Sequence, residues 1–128
     1  KDEEIARATL KTKIKDINDI HDPNVVKVIT DKKNRAIYFS RSPIPYKRET
    51  YDYQYYKHIG IYAYRYSFLF KYIELTESKL EKVESLEQLR AIENGYSIYV
   101  NEINHELIGV DTPEDIKKVE NKLQRDLI

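Results

Sequence analysis

The chain contains 128 residues, a length that suits one modest hydrophobic core and therefore one α/β domain, or part of one, over residues 1–128. Its 22 basic and 22 acidic residues cancel to a net charge of zero, so no overall field favours nucleic acid or an anionic membrane as a partner. The absence of cysteine excludes disulfides, thiolate nucleophiles and cysteine-ligated zinc, and it suits the cytoplasm, where we expect the protein to work.

The first predicted elements are strands joined by a hairpin. Residues 8–14 (ATLKTKI) alternate apolar and polar side chains, as a half-buried strand does. Residues 25–30 (VVKVIT) and 36–39 (AIYF) are rich in β-branched and aromatic side chains, and the connection DKKNR between them contains residues that favour turns. The pattern therefore predicts a hairpin whose second strand is largely buried.

The segment AIYFSRSPIPY, residues 36–46, runs from that strand into a rigid loop. Pro43 and Pro45 forbid both a helix and regular ladder pairing, so Arg41 stands at the end of a strand. Two interpretations of Arg41 remain open on this pattern alone. It is either a surface arginine beside an edge strand or an anion-binding side chain carried by the loop.

A polar and aromatic arm, residues 46–57, separates the hairpin from the strand HIGIYAYR, residues 58–65. The arm has no clean periodicity and reads as a long loop. Alternation divides the side chains of the strand between two faces, one with His58, Gly60, Tyr62 and Tyr64 and the other with Ile59, Ile61 and Ala63. We expect the aliphatic face in the core, while the other face either packs its histidine or meets a ligand.

Two helices are predicted next, over residues 66–75 and 79–94. The second has a capping box at Ser78 and Glu81 and a stop at Gly95. Its apolar stripe is expected in the core and comprises Leu80, Val83, Leu86, Leu89 and Ile92. Beside the stripe lie Glu87 and Gln88, which are either solvent-exposed helix formers or ligand-binding side chains.

Residues 97–103 and 106–110 read as further strands, and a last helix follows, with Ile116, Val119 and Leu123 on its apolar face. Asp111 lies at the junction between strand and helix, where open α/β sheets bind ligands and metals, although aspartate before a helix is often only structural. Strands and helices intermingle throughout. The pattern therefore predicts an α/β fold with a mixed sheet flanked by helices.

Glycine and tyrosine usage narrows the possible functions. The three glycines are isolated, whereas loops that cradle triphosphates need several, so this chain does not supply the usual phosphate cradle itself. Twelve tyrosines, many of them near lysine and arginine, could stack single-stranded nucleic acid. The balanced charge favours packing as their role.

Five blocks in order resemble one enzyme family: DPNVVKVI (22–29), AIYFSRSPIPY (36–46), KHIGIYAYR (57–65), LEKVESLEQLRAIENG (80–95) and GVDTPEDIKKVE (109–120). They are similar to the 3-deoxy-manno-octulosonate cytidylyltransferases, or CMP-Kdo synthetases. The resemblance implies transfer of CMP from CTP to the sugar acid Kdo, release of pyrophosphate, Mg²⁺ as cofactor and a homodimer. The site residues that it implies are Asp111 as catalytic metal ligand, Arg41 and Arg48 in the sugar site, His58 and Tyr62 facing the sugar, and Glu87 and Gln88 binding its hydroxyls.

The chain also departs from that family. Neither the glycine-, arginine- and lysine-bearing nucleotide loop nor the segment with a second metal-binding aspartate has a counterpart. We therefore expect the carboxyl-side portion of a nucleotidyltransferase-like, Rossmann-like fold, which would not transfer the cytidylyl group by itself. Two alternatives are a non-catalytic sugar-acid-binding or dimerisation module and a fragment of a sialic-acid-type cytidylyltransferase.

Overall fold

The computed structural model describes residues 5–49 and 52–104, together with the single positions 114, 117, 120 and 121. The elements in this part of the chain are β1 (Ile5–Lys13), α1 (Ile17–His21), β2 (Lys27–Thr30), β3 (Ala36–Ser40), β4 (Tyr56–Tyr64), α2 (Tyr66–Glu74), α3 (Lys79–Glu84), α4 (Leu89–Glu93) and β5 (Ser97–Glu102). They form one five-stranded sheet in the order β3-β2-β4-β1-β5. Only β5 and β1 pair in parallel, so the expected mixed sheet flanked by helices is confirmed.

Strands β2 and β3 form the predicted hairpin, in which Val28 pairs with Phe39. Its turn is fixed by Asp31, whose carboxylate accepts backbone hydrogen bonds at 2.8 and 2.9 Å, and by Asn34, whose φ of 65° is a left-handed conformation that asparagine tolerates. Burial of β3 was predicted wrongly in part. Ile37 is 53% exposed, because only the last two residues of the strand are covered.

The hydrophobic core lies between one face of the sheet and helices α2 and α4. Its fully buried members are Val28, Phe39, Phe68, Leu86, Leu89, Ala91, Ile98 and Val100. The expectation that the aliphatic face of β4 is in this core is wrong, because Ile61 is 56% exposed and Ala63 is exposed as well. The core lies instead on the opposite face of the strand, where the ring of His58 contacts Phe39.

The single helix predicted over residues 79–94 is two short helices, α3 and α4. The break lies at Ser85, which has a φ of 56°. The side chain of Val83, before the break, is 82% exposed, while Leu86 and Leu89, after it, are buried. Arg41 explains the break, since its guanidinium takes the carbonyl oxygens of residues 84 and 85, which a continuous helix would use internally. The predicted capping box at the start of α3 is confirmed.

A short helix precedes β2. It is α1, which Asp16 caps by accepting a hydrogen bond from the Asn18 N–H at 2.9 Å. The strand predicted over residues 106–110 and the apolar face of the last helix lie outside the described residues. No helix among the described residues is long and apolar enough to cross a membrane.

Candidate sugar-acid site

Three of the side chains predicted to bind ligand converge around Arg7 of β1. The rings of His58 and Tyr62, both on β4, have centroids 5.4 Å apart. The Arg7 guanidinium carbon lies 3.9 Å from the centroid of the Tyr62 ring, and its Nη2 donates to Oε1 of Glu87 at 3.0 Å. The fold therefore brings residues from four segments, β1, β4, α2 and the bend before α4, into one group. We call it the Arg7 cluster, and it comprises Arg7, His58, Tyr62, Tyr64, Tyr72 and Glu87.

Arg7 is completely buried, whereas the side chain of its partner Glu87 is 47% exposed. The rings of Tyr64 and Tyr72 also face the guanidinium, with centroids 4.9 and 5.1 Å from its carbon. Arg7 Nε and Nη1 are buried and find no hydrogen-bond partner within the part of the chain that the structure describes. Sequence reasoning did not identify Arg7. The available signal was its place in the inward-facing alternation of β1, where an arginine needs a specific partner.

His58 is held as a neutral imidazole. Burial, together with a smaller effect of the nearby Arg7 cation, lowers its pKa to about 4. Its Nε2 lies 2.9 Å from Oγ1 of Thr9, whose hydroxyl also lies 3.0 and 2.8 Å from the carbonyl oxygens of Ile59 and Ile61. When the single hydroxyl proton goes to one of these carbonyls, His58 Nε2–H donates to Thr9 and Nδ1 is the acceptor.

Tyr62 remains a phenol at every physiological pH. Burial raises the pKa of its hydroxyl well above the ordinary value, and the Arg7 cation only partly opposes that rise. The cluster therefore offers a ligand one exposed carboxylate, a neutral imidazole and an aromatic ring. These groups suit the hydroxyls and the carbon skeleton of a sugar better than a phosphate chain.

Arg41, predicted to serve the same site, makes other contacts. Its Nε donates to the carbonyl oxygen of Glu84 at 2.7 Å, Nη1 to that of Pro23 at 2.9 Å and Nη2 to that of Ser85 at 3.1 Å. In the described part of the chain, no hydrogen bond or ring contact joins it to the Arg7 cluster. A role of Arg41 in sugar binding stays a prediction.

Arg48 and Gln88 complete the predicted sugar-binding set. Arg48 is exposed and lines a separate cavity of about 400 Å³ within the arm, together with Pro45, Tyr46, Lys47, Glu49, Tyr53 and Tyr55. Gln88, next to Glu87, is only 6% exposed and precedes α4 as its N-cap residue. Neither residue is joined to the Arg7 cluster by a hydrogen bond or ring contact in the region that the structure describes.

The described residues contain no large cluster of metal-binding side chains. Within residues 5–49 and 52–104 and the four isolated positions, no group of three or more histidine, cysteine, aspartate or glutamate side chains could hold a metal ion. Asp111, the predicted metal ligand, lies outside the described residues. Both the cofactor and the role of Asp111 stay predictions.

Comparison with known proteins decides the family. A family model described as cytidylyltransferase matches residues 1–105. The chain belongs to the cytidylyltransferase family. The enzyme class expected from the sequence, a nucleotidyltransferase, is thereby confirmed at the level of the family.

Curated relatives in the family share almost the whole of this chain. A 3-deoxy-manno-octulosonate cytidylyltransferase of Fusobacterium nucleatum is 49% identical over 98% of the chain and 51% of its own length. One of Solibacter usitatus is 52% identical over 91% of the chain and 46% of its own length. This chain therefore spans about half the length of the relatives that it matches.

A solved structure shows the same fold. It is CMP:2-keto-3-deoxy-manno-octonic acid synthetase complexed with CTP, and it superposes with a TM-score of 0.90 at 42% sequence identity. The match covers 98% of this chain and 52% of the solved one. The fold expected from the resemblance is confirmed.

Proposed function

We propose that this chain carries the sugar-acid side of a 3-deoxy-manno-octulosonate cytidylyltransferase, which transfers CMP from CTP to Kdo and releases pyrophosphate. The convergence of His58, Tyr62 and Glu87 around Arg7 is the observation that carries the proposal. The resemblance implies all three residues, which come from two segments far apart in sequence, β4 and the turn before α4. The names of the relatives agree with it.

Each member of the cluster has a proposed part in holding the sugar. Oε1 of Glu87 is bound to Arg7, so its half-exposed carboxylate presents Oε2 to a sugar hydroxyl. Nδ1 of the neutral His58 can accept a second hydroxyl hydrogen bond. The ring of Tyr62 packs against the carbon skeleton. Such contacts orient the attacking anomeric hydroxyl, which has to meet the α-phosphorus of CTP in line.

The proposal keeps the other residues implied by the resemblance. Arg48, exposed on the arm, would meet the carboxylate of the sugar acid, and Gln88 would bind a hydroxyl. Arg41 would serve the same sugar site, as the resemblance implies. Mg²⁺ with Asp111 as one ligand, a homodimer and a cytoplasmic location belong to the same proposal on the resemblance alone.

Isothermal titration of the chain with Kdo and, separately, with N-acetylneuraminate tests the proposal. We expect saturable binding of Kdo and at least about tenfold weaker binding of the sialic acid, because the two sugar acids place their hydroxyls differently. Glu87→Gln should weaken Kdo binding, while Glu74→Gln, a matched change at an exposed position of α2, should not. Tighter binding of the sialic acid would support the sialic-acid-type alternative, and binding of neither would refute the proposal.

A further inference from the structure

Arg7 lies behind the proposed sugar-binding residues, where a ligand does not reach it. Its side chain has no exposed surface, while that of Glu87, to which it donates, is about half exposed at 47%. Any effect of Arg7 on a ligand must therefore pass through its neighbours. The two neighbours that matter are Glu87, through a hydrogen bond of 3.0 Å, and Tyr62, through a ring face 3.9 Å away.

The way Arg7 binds Glu87 differs from the way Arg90 binds Glu81. Arg90 donates from two nitrogens to the two oxygens of Glu81, at 2.9 and 2.7 Å, so that ion pair is bidentate. Arg7 uses Nη2 alone and contacts only Oε1 of Glu87. In the described part of the chain no other side chain binds Oε2. Arg90 therefore occupies both oxygens of the Glu81 carboxylate, whereas Arg7 orients the Glu87 carboxylate and leaves Oε2 available.

The remaining surroundings of Arg7 do not complete its hydrogen bonding. Among the described residues Nε and Nη1 have no hydrogen-bond partner, and the rings of Tyr62, Tyr64 and Tyr72 line the guanidinium instead. A buried cation with so few hydrogen bonds is poorly explained by stability alone, because an apolar side chain of similar size would avoid the desolvation cost. Its presence in the cluster is better explained by what it does to the groups around it.

We propose that Arg7 is a positioning residue of the sugar-acid site, which holds the Glu87 carboxylate and the Tyr62 ring in the orientation that meets the sugar. This inference rests on the proposed function. Arg7 itself touches no ligand. Its guanidinium fixes Oε1 of Glu87 from the buried side, and its stacking against Tyr62 prevents that ring from turning away.

A double-mutant cycle in Kdo affinity tests the proposal. Calorimetric titrations with Kdo compare the wild-type chain with Arg7→Met, Glu87→Gln and the double variant, and urea denaturation confirms that each is folded. We expect Arg7→Met to weaken binding by about tenfold, and the double variant to bind no more weakly than the worse single variant. Arg7→Lys, which keeps a cation near Glu87, should recover part of the loss.

Arg90→Met is the matched control, because it removes another arginine that is paired with a glutamate and lies 5.5 Å from the Tyr72 ring. It should lower stability and leave the Kdo affinity of the folded protein within about twofold. An Arg7→Met variant that binds Kdo like wild type would overturn the inference and leave the proposed function standing. Losses that multiply in the double variant would also overturn it.

Two further outcomes are decisive. If Arg7→Met fails to fold, the same cycle with Arg7→Lys applies, and multiplying losses would again contradict a shared role. If the wild-type chain binds no Kdo, the proposed function is refuted, and the role of Arg7 is refuted with it.

Discussion

Arg41 and Glu84 bind each other through both backbone and side-chain groups. The Glu84 carboxylate accepts the Arg41 N–H at 3.0 Å, and the Arg41 guanidinium donates to the Glu84 carbonyl at 2.7 Å. The same carboxylate accepts the hydroxyls of Ser40 at 2.6 Å and Tyr38 at 3.2 Å. This double contact joins the end of β3 to the end of α3 and places the bend that presents Glu87.

Replacing Glu84 with alanine should lower the free energy of unfolding by about 2–3 kcal/mol, because it leaves the buried hydroxyl of Ser40 and the N–H of Arg41 without their acceptor. Burial alone would raise the pKa of Glu84, but hydrogen bonds from Ser40, Arg41 and Tyr38 outweigh it and hold the pKa low. Urea denaturation measures the change. Glu74→Ala, at an exposed position, should change stability by no more than about 0.5 kcal/mol.

His58 should make stability depend on pH between about 6.5 and 4. Above the ordinary value of 6.5 the imidazole is neutral in both states, whereas below it the unfolded chain binds a proton that the folded protein accepts only near pH 4. Stability therefore falls as the pH falls through this window, by about 3 kcal/mol from this residue.

The check is denaturation at pH 7.5 and 4.5. The wild type should lose about 2–3 kcal/mol more between these pH values than His58→Gln does. His21→Gln, at an exposed histidine of α1, should behave as the wild type. An equal pH dependence in wild type and His58→Gln would contradict the burial of a neutral imidazole.

Two ion pairs that each include one residue of α3 should differ in strength. Glu81 is 6% exposed, caps the helix and binds Arg90 through both oxygens, while Glu77 and Lys82 lie 3.9 Å apart and are both exposed. Glu81→Ala should lower the free energy of unfolding by about 2–3 kcal/mol, and Glu77→Ala by less than about 0.5 kcal/mol. Thermal denaturation at fixed pH compares the two variants, and equal shifts in Tm would show that burial does not set the strength of these pairs.

Glycine should be tolerated better at Ser85 than at Ser67. Ser85 has a φ of 56°, a left-handed conformation that costs a residue with a Cβ about 1 kcal/mol, so Ser85→Gly should be neutral or stabilising. Ser67 lies in the first turn of α2, where the same substitution should cost about 0.5–1 kcal/mol. Chemical denaturation of both variants is the measurement. A larger loss at Ser85 would contradict the assigned bend.

Local patterns in the sequence were sufficient to predict most strands, the hairpin and the capping box, because alternation, turn residues and cap spacing act over a few residues. They failed where distant residues compete for backbone groups. The helix over residues 79–94 is broken by Arg41, which lies more than forty positions earlier. The exposure of Ile61 likewise depends on which face of the sheet the helices cover.

The candidate site shows the same division. Alternation correctly placed His58 and Tyr62 on one face of β4, and their ring contact confirms it. Their association with Glu87 through Arg7 could not be predicted, since the two residues of that ion pair are 80 positions apart. A charged residue at an inward position of a strand was the only signal, and its partner is a property of the folded chain.

Histidine ring resonances followed by NMR during titration with Kdo test the central claim most directly. If the Arg7 cluster is the sugar-acid site, the ring signals of His58 shift in a saturable manner, while those of His21 on α1 stay unchanged. Glu87→Gln should weaken the titration without abolishing the fold. The account is contradicted if Kdo binds saturably by calorimetry but leaves the ring signals of His58 unshifted.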